Sequence, residues 1–240
     1  MLCEILGNVN KKYGFFYEYL LNFEKIITND GGKMKKISDS TIRRMSKYYR
    51  SLEQLIDRGV ETVSSDTLAE MDGITSAQVR KDLSFFGTFG KRGFGYNTKS
   101  LKKQIENILG LYRTWNVAIV GAGNIGRALT DYAEFKKQGF IIRLIMDRDP
   151  SKIGQQVHGL TVKDFNDVKE LIKEEQIDIA IIAVPAENAQ AVADKLVEAG
   201  VKAILNFAPR SLKVPPDVMV KYENMAVEME ALSYFLSNKR

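Results

Sequence analysis

Three glycines, Gly121, Gly123 and Gly126, stand in a G-x-G-x-x-G spacing directly after the apolar run Val117-Ala118-Ile119-Val120. That run is too short for a helix and rich in β-branched side chains, so it reads as a buried strand. Ile125, Leu129 and Tyr132 follow at helical steps. Each glycine then has a task. Gly121 permits the tight turn off the strand, Gly123 lets backbone approach a pyrophosphate, and Gly126 lets helix and strand pack closely. The helix start, at Asn124 and Ile125, offers free N–H groups and a positive dipole end to phosphate. A second apolar run, 140–146, ends in Asp147, roughly twenty residues past the last glycine, where a carboxylate accepts from a ribose 2′-hydroxyl. The chemistry is dinucleotide binding. Asp147 favours NAD over NADP, because a 2′-phosphate would meet a negative charge; Arg148 and Arg143 work against that preference, since either would attract one. The alternative is a Rossmann-like sheet with no ligand.

The elements that must position such a site follow in alternation. Residues 158–162 read as a short strand and 164–175 as a helix. Residues 177–184 form a buried strand stopped by Pro185; 187–199 a helix; 202–207 a strand ended by Ala208-Pro209; 218–222 a last edge strand. Strand–helix alternation builds a parallel sheet with right-handed crossovers, and ligands lie at the carboxyl ends of its strands. Val184, Pro185, Asn206, Phe207, Ala208 and Pro209 are therefore expected to face the same crevice as the glycine turn. A final helix, about 225–236, carries Met229, Leu232, Phe235 and Leu236 as an apolar stripe. It serves either as core or as a face for a partner subunit.

Charge divides the chain. Residues 34–114 carry fifteen Lys/Arg against nine Asp/Glu, whereas residues 115–240 carry sixteen against seventeen, within an overall net charge of +5. Basicity confined to one segment points to a polyanion partner for it. Ser40 or Thr41 is placed to cap a helix whose apolar positions are Ile42, Met45, Tyr49, Leu52 and Ile56, and Gly59 ends it. A short strand at 60–63 precedes a second helix capped by Ser65. After the turn Asp72-Gly73-Ile74, Thr75 or Ser76 caps a third helix running to about Phe86. Helix, glycine-bearing turn and helix is the helix-turn-helix arrangement. On the third helix Val79, Leu83 and Phe86 share the packing side, and Ala77, Arg80, Lys81 and Ser84 the other. Cations with small residues between them suit phosphates and base edges in a major groove, although a plain solvated face has the same composition. Residues 87–96 alternate glycine with aromatic and basic residues, which predicts a tight hairpin with Lys91 and Arg92 near its tip: a wing. The candidate DNA-binding set is Ser76, Gln78, Arg80, Lys81, Ser84, Lys91 and Arg92. A connecting helix, 100–109, leads to the dinucleotide segment.

The expected organisation is α/β, with four parts in 240 residues. These are an extension over 1–33, a winged-helix domain over 34–114, a Rossmann parallel-sheet domain over 115–224 and a C-terminal helix over 225–240. The extension holds an aromatic-rich stretch, 13–27, and a turn at Asn29-Asp30-Gly31-Gly32 before Met34. A single cysteine, Cys3, excludes an internal disulfide and suits a cytoplasmic, reducing setting. No apolar run is long enough to span a bilayer, and the N-terminus lacks the basic n-region and small-residue cleavage site of a secretory signal. An NAD-dependent oxidoreductase would need a positioned acid/base and a substrate clamp. The one histidine, His158, sits in a polar turn with no obvious partner, and no His/Cys cluster offers a metal site, so no catalytic residue is assigned.

Several stretches together resemble the redox-sensing transcriptional repressor family called Rex: SDSTIRRMSKYYRSLEQL, SSDTLAE, ITSAQVRKDLSFFGTFGKRGFGY, ILGLYRTWNVAIVGAGNIGRALTDY, VPAENAQ and AILNFAP. The likeness covers roughly 37–224. It implies a winged helix fused to an NAD(H)-binding domain, acting as a homodimer on palindromic double-stranded operators. NAD⁺ would favour binding, NADH would release the DNA, and the C-terminal helix would cross to the other subunit. Family members begin near Met34. The resemblance assigns DNA contact to Arg80, Lys81 and Arg92, and dinucleotide contact to Gly121, Gly123, Asn124 and Asp147. It places Tyr132 near the nicotinamide, where it would meet an aspartate of the other subunit. Here this chain departs from the pattern: Tyr222-Glu223-Asn224-Met225 has Asn224 at the aspartate's place. That contact is then missing or weakened, which would make the chain a DNA-binding paralogue with weaker redox sensing.

Overall fold

The computed structural model describes residues 37–90 and 93–238. The expected extension, Cys3, Met34, Lys91 and Arg92 lie outside the described residues. The chain divides into two compact units that meet in sequence at Tyr112 and Arg113.

The first unit holds helices α1 (Asp39–Asp57), α2 (Ser65–Asp72), α3 (Ser76–Ser84) and α4 (Thr98–Ile108), with strands β1 (Thr62–Val63) and β2 (Tyr96–Asn97). The caps sit one to three residues earlier than expected for α1 and α2. Ser38 Oγ accepts from Thr41 N and Ser64 Oγ from Thr67 N, while Thr75 caps α3. Thr41 itself is buried. The buried stripe of α1 is Thr41, Met45, Tyr48, Leu52 and Leu55, one residue round from the expected one, and Ile42 and Tyr49 only flank it. Tyr48 and Arg44 turn the helix that way, because both bond to Asp82 of α3. Gly59, at φ +75°, ends α1, and Val60 N closes back on Leu55 O. α3 stops at Ser84, two residues short of expectation, yet Phe86 is still buried in the core with Val79 and Leu83.

Residues 87–96 do not form a self-paired hairpin among the described residues. β2 pairs instead with β1, Val63 opposite Tyr96. Two glycines allow this. A Cβ on Gly95 would lie 2.6 Å from Val63 O, and one on Gly90 would lie 2.4 Å from Gly95 O. Gly90 and Gly95 thus stand close together, and the described end of the segment pairs with β1.

The second unit is a seven-stranded sheet: β3 (Trp115–Val120), β4 (Phe140–Asp147), β5 (Gln156–Val157), β6 (Leu160–Asp164), β7 (Ile179–Ile182), β8 (Ala203–Asn206) and β9 (Met219–Tyr222). Their order is β5-β6-β4-β3-β7-β8-β9, and every pairing is parallel except the β5–β6 hairpin, which stands where the sequence predicts a single strand over 158–162. His158 and Gly159, both at positive φ, make its turn. Helices α5 (Asn124–Thr130), α6 (Ala133–Lys137), α7 (Val168–Glu174), α8 (Ala186–Glu198) and α9 (Met225–Ser237) complete the unit. α7 and α8 cover one face of the sheet through Ile172, Val192 and Leu196; Leu129 and Phe135 pack on the other. Strands covered on both faces explain their near-continuous apolar runs. The helix expected through Tyr132 breaks at Asp131, the C-cap of α5, and Tyr132, in extended conformation, is the N-cap of α6. None of α9 is buried in the single chain.

Candidate functional sites

Strand order reverses on either side of β3, and the register brings Val120, Met146, Ile182 and Asn206 level with one another. A crevice must open at that point. It has a volume of about 1170 Å³ and is lined by Gly121, Gly123, Asn124, Ile125, Asp147, Arg148, Val184, Pro185, Phe207 and Pro209 among the expected residues. Lys152, Phe165, Asn166, Asn188 and Lys195 also line it, and sequence reasoning missed them. The signal was available in part. Phe165 directly follows β6, itself a parallel strand ending at the crevice, but nothing local told that β6 pairs with β4.

The glycine turn is built as its spacing requires. Gly121 has φ +107°, and a Cβ there would lie 2.4 Å from Ala183 O. A Cβ on Gly126 would lie 1.8 Å from Gly121 O, so α5 crosses β3 in direct backbone contact. Nothing lies within 4 Å of a Cβ on Gly123, which lines the crevice. Gly126 therefore sets the packing, and Gly123 keeps the floor open.

Asp147 is buried. One carboxylate oxygen accepts from Ala122 N at 2.8 Å and Lys152 Nζ at 3.0 Å, the other from Asp149 N at 3.0 Å. Burial opposes its charge, but the Asp149 amide, Lys152 and the Ala122 amide outweigh it and hold the carboxyl below its usual range. Asp147 thus stays ionised and ties the glycine turn to β4. Arg148 is exposed at the crevice rim. Arg143 lies four residues back along β4 and bonds Asn116, so it cannot face a 2′-phosphate at Asp147.

Four expected residues do not line the crevice. Gly126 is beneath it. Tyr132 is 52% exposed and packs edge-on against Phe135. Asn206 and Ala208 are buried. The Asn206 amide donates to Ala208 O and Arg210 O while its oxygen accepts from Ala208 N. It folds the loop that presents Phe207 and Pro209. Asn206→Ala is expected to take away the Asn206 bonds to Ala208 N and Arg210 O, while Ala208 O keeps Arg210 N, and to cost about 2 kcal/mol; chemical denaturation checks the loss. His158 does have a partner, since its Nδ1 lies 3.6 Å from Asp131 Oδ2. Among the described residues no group of three or more His, Cys, Asp or Glu is placed to hold a metal ion, and no helix is long and apolar enough to cross a membrane.

In the first unit, α3 exposes Arg80, Lys81 and Ser84, with Ser76 and Gln78 half-buried beside them. Arg80 donates to Ser65 Oγ at 2.8 Å, which holds the guanidinium along the start of α2. Beneath this face sits a group the sequence did not disclose. Asp82, fully buried, accepts from Arg44 at both oxygens, from Tyr48 at 2.8 Å and from Gln78 at 2.8 Å. Nothing in a lone aspartate on a helix marks it as buried; only the assembled α1–α3 contact does.

Comparison with known proteins reaches both units. Residues 36–84 match a family described as putative DNA-binding protein N-terminus, and residues 112–210 match the CoA binding domain family. The chain is 48% identical over 202 residues to the redox-sensing transcriptional repressor Rex of Chloroflexus aurantiacus, covering 84% of this chain and 95% of that one. It is 48% identical over 208 residues to the protein of the same name from Desulfitobacterium hafniense, covering 87% and 99%. Among solved structures, RSP in complex with β-NAD⁺ and operator DNA superposes with a TM-score of 0.81 at 41% identity, covering 85% of this chain and 94% of that one. RSP in complex with β-NADH superposes at 0.77 with 40% identity, covering 85% and 95%.

Proposed function

The chain belongs to the redox-sensing transcriptional repressor family called Rex, and from that premise we propose that it is a repressor, not an enzyme, reading the NADH/NAD⁺ balance. The DNA-binding part is residues 34–114, with Arg80, Lys81, Ser84, Ser76 and Gln78 on or beside the recognition helix and Lys91 and Arg92 on the wing. The dinucleotide lies across Gly121, Gly123, Asn124 and Ile125, its ribose toward Asp147 and Arg148 and its far end toward Val184, Pro185, Phe207 and Pro209. The single observation that carries the reading is the presence, in one chain, of this crevice at the strand-order reversal and a cation-faced helix-turn-helix.

Release of DNA requires that NADH favour a different subunit arrangement from NAD⁺, since a ligand shifts an equilibrium only by its differential affinity for the two states. A homodimer supplies those arrangements, and α9, wholly exposed in the single chain, is the surface for the second subunit. Function of this kind places the protein in the cytoplasm. The test is a mobility shift on a palindromic duplex, titrated with each dinucleotide. NADH is expected to release the DNA and NAD⁺ to retain it; indifference to both overturns the sensor.

One residue favours a weaker switch than the resemblance alone implies. Asn224 caps α9 by accepting from Ala226 N at 3.0 Å, and it is neutral where the resemblance calls for a carboxylate. Asn224→Asp keeps the cap, because aspartate caps as well as asparagine. It is expected to lower the NADH concentration for half-release by about fivefold, within the usual span of allosteric coupling. An unchanged midpoint in the same titration removes Asn224 from the switch.

A further inference from the structure

The recognition helix opens with Thr75-Ser76-Ala77-Gln78, a T-x-x-Q spacing that normally sends the glutamine side chain back to the cap. Here Thr75 Oγ1 serves the cap alone, accepting from Gln78 N at 3.2 Å, and the Gln78 amide reaches forward to Asp82. Asp82 is fully buried, and its two oxygens are shared among Arg44 Nε, Arg44 Nη2, Tyr48 Oη and Gln78 Nε2. An ionised carboxylate only accepts, so it admits the nitrogen end of the Gln78 amide and rejects the oxygen end. Burial works against that charge, yet the bonds from Arg44, Tyr48 and Gln78 overcome it and keep the carboxyl below its usual range.

We infer that Asp82 is a positioning residue for sequence readout: it fixes which way the half-exposed Gln78 amide faces at the start of the recognition helix. The inference rests on the operator-binding reading above. With Nε2 held from behind, the amide oxygen and the second N–H are left for the groove. That donor–acceptor pair matches the N7 and N6 edge of adenine. The first residues of a recognition helix are those that meet base edges. Asp82 touches no base itself. It acts through Gln78, while Arg44, with 22% of its side chain exposed, locks the carboxylate from α1.

The experiment is selection of bound duplexes from a randomised DNA library by the full chain with NAD⁺. It is run on the parent protein and on Gln78→Met, Asp82→Asn and the double variant. Asparagine at 82 presents an amide nitrogen beside Arg44 or beside Gln78, so the Gln78 amide is no longer forced one way. The parent is expected to select adenine at one position per half-site by about tenfold. Gln78→Met flattens that position, Asp82→Asn flattens the same one, and the double variant goes no further. Gln78→Met leaving every preference intact overturns the inference, as does Asp82→Asn lowering affinity for all duplexes alike while the adenine preference persists. Should Asp82→Asn not fold, ¹⁵N spectra of the parent decide, the Gln78 amide being assigned by its loss in Gln78→Met. Slowed exchange of those amide protons supports the anchor, and exchange like that of a free glutamine overturns it. A parent that selects no palindrome at all is the separate failure of the operator reading.

Discussion

Gly126→Ala is expected to destabilise the dinucleotide-binding unit by about 3 kcal/mol or more, whereas Gly123→Ala is expected to leave its stability unchanged and weaken nucleotide binding. The two glycines are three residues apart in one motif, and the structure gives them opposite tasks. A methyl on Gly126 would stand 1.8 Å from Gly121 O and 3.3 Å from Ile119 Cγ2. The first neighbour is backbone that cannot rotate away, so α5 must lift from β3. That lift also disturbs Gly121, whose amide holds Met146 O at 2.8 Å. A loss of ~3 kcal/mol corresponds to a fall in melting temperature on the order of 10 °C for a unit of this size. A methyl on Gly123 meets nothing within 4 Å. Its backbone is extended, at φ −84° and ψ −170°, which any residue adopts. Gly123 lines the crevice, and on the function proposed above a methyl there would obstruct the approach of a pyrophosphate, so about a tenfold or greater loss of NADH affinity is expected. Thermal denaturation and NADH fluorescence titration separate the two outcomes. A Gly126→Ala protein melting with the parent, or a Gly123→Ala protein binding NADH as the parent does, contradicts this account.

The second unit was largely legible because its signals are local. Buried parallel strands read as apolar runs, the glycine turn has a fixed spacing, and Pro185 and Pro209 mark the exits of β7 and β8. What was not legible was lateral. Strand order places β6 beside β4, and only that pairing brings Phe165 and Asn166 to the crevice. Asn206 ends a strand at the crevice, which predicts that it faces the ligand, yet the loop after it turns so tightly that its amide closes the loop. In the first unit the helices were legible and their rotation was not. Ile42, Tyr49 and Ile56 have the spacing of a core stripe, but Tyr48 and Arg44 must reach Asp82, and that polar contact chose between two adjacent faces. The pairing of the wing was not legible for a related reason. Glycines announce a turn, but its pairing with β1 lies some thirty residues away in the chain.

Asp82→Ala is expected to cost the DNA-binding unit about 3–5 kcal/mol, the penalty for leaving one partner of a buried pair uncompensated. Three donors lose their acceptor together: the Arg44 guanidinium, the Tyr48 hydroxyl and the Gln78 amide. Arg44 is the costly one, since its charge is part-buried and Asp82 is what holds its pKa raised. Tyr48 remains protonated throughout, because burial and the neighbouring Asp82 push its hydroxyl up. Replacing both ends of the pair, Arg44→Met with Asp82→Leu, is expected to recover much of the loss, because no buried charge is then left alone. Urea denaturation of the two single variants and the double measures the coupling directly. The sign with pH follows from Asp82 being depressed in the folded state. Its stabilisation is fully present above the ordinary carboxylate pKa of about 4 and is lost as pH falls through the lower folded value. The parent should therefore lose stability more steeply than Arg44→Met/Asp82→Leu as pH falls below about 4. Parallel acid limbs would mean that the buried carboxylate does not hold α1 to α3, and the rotation of α1 would then need another cause.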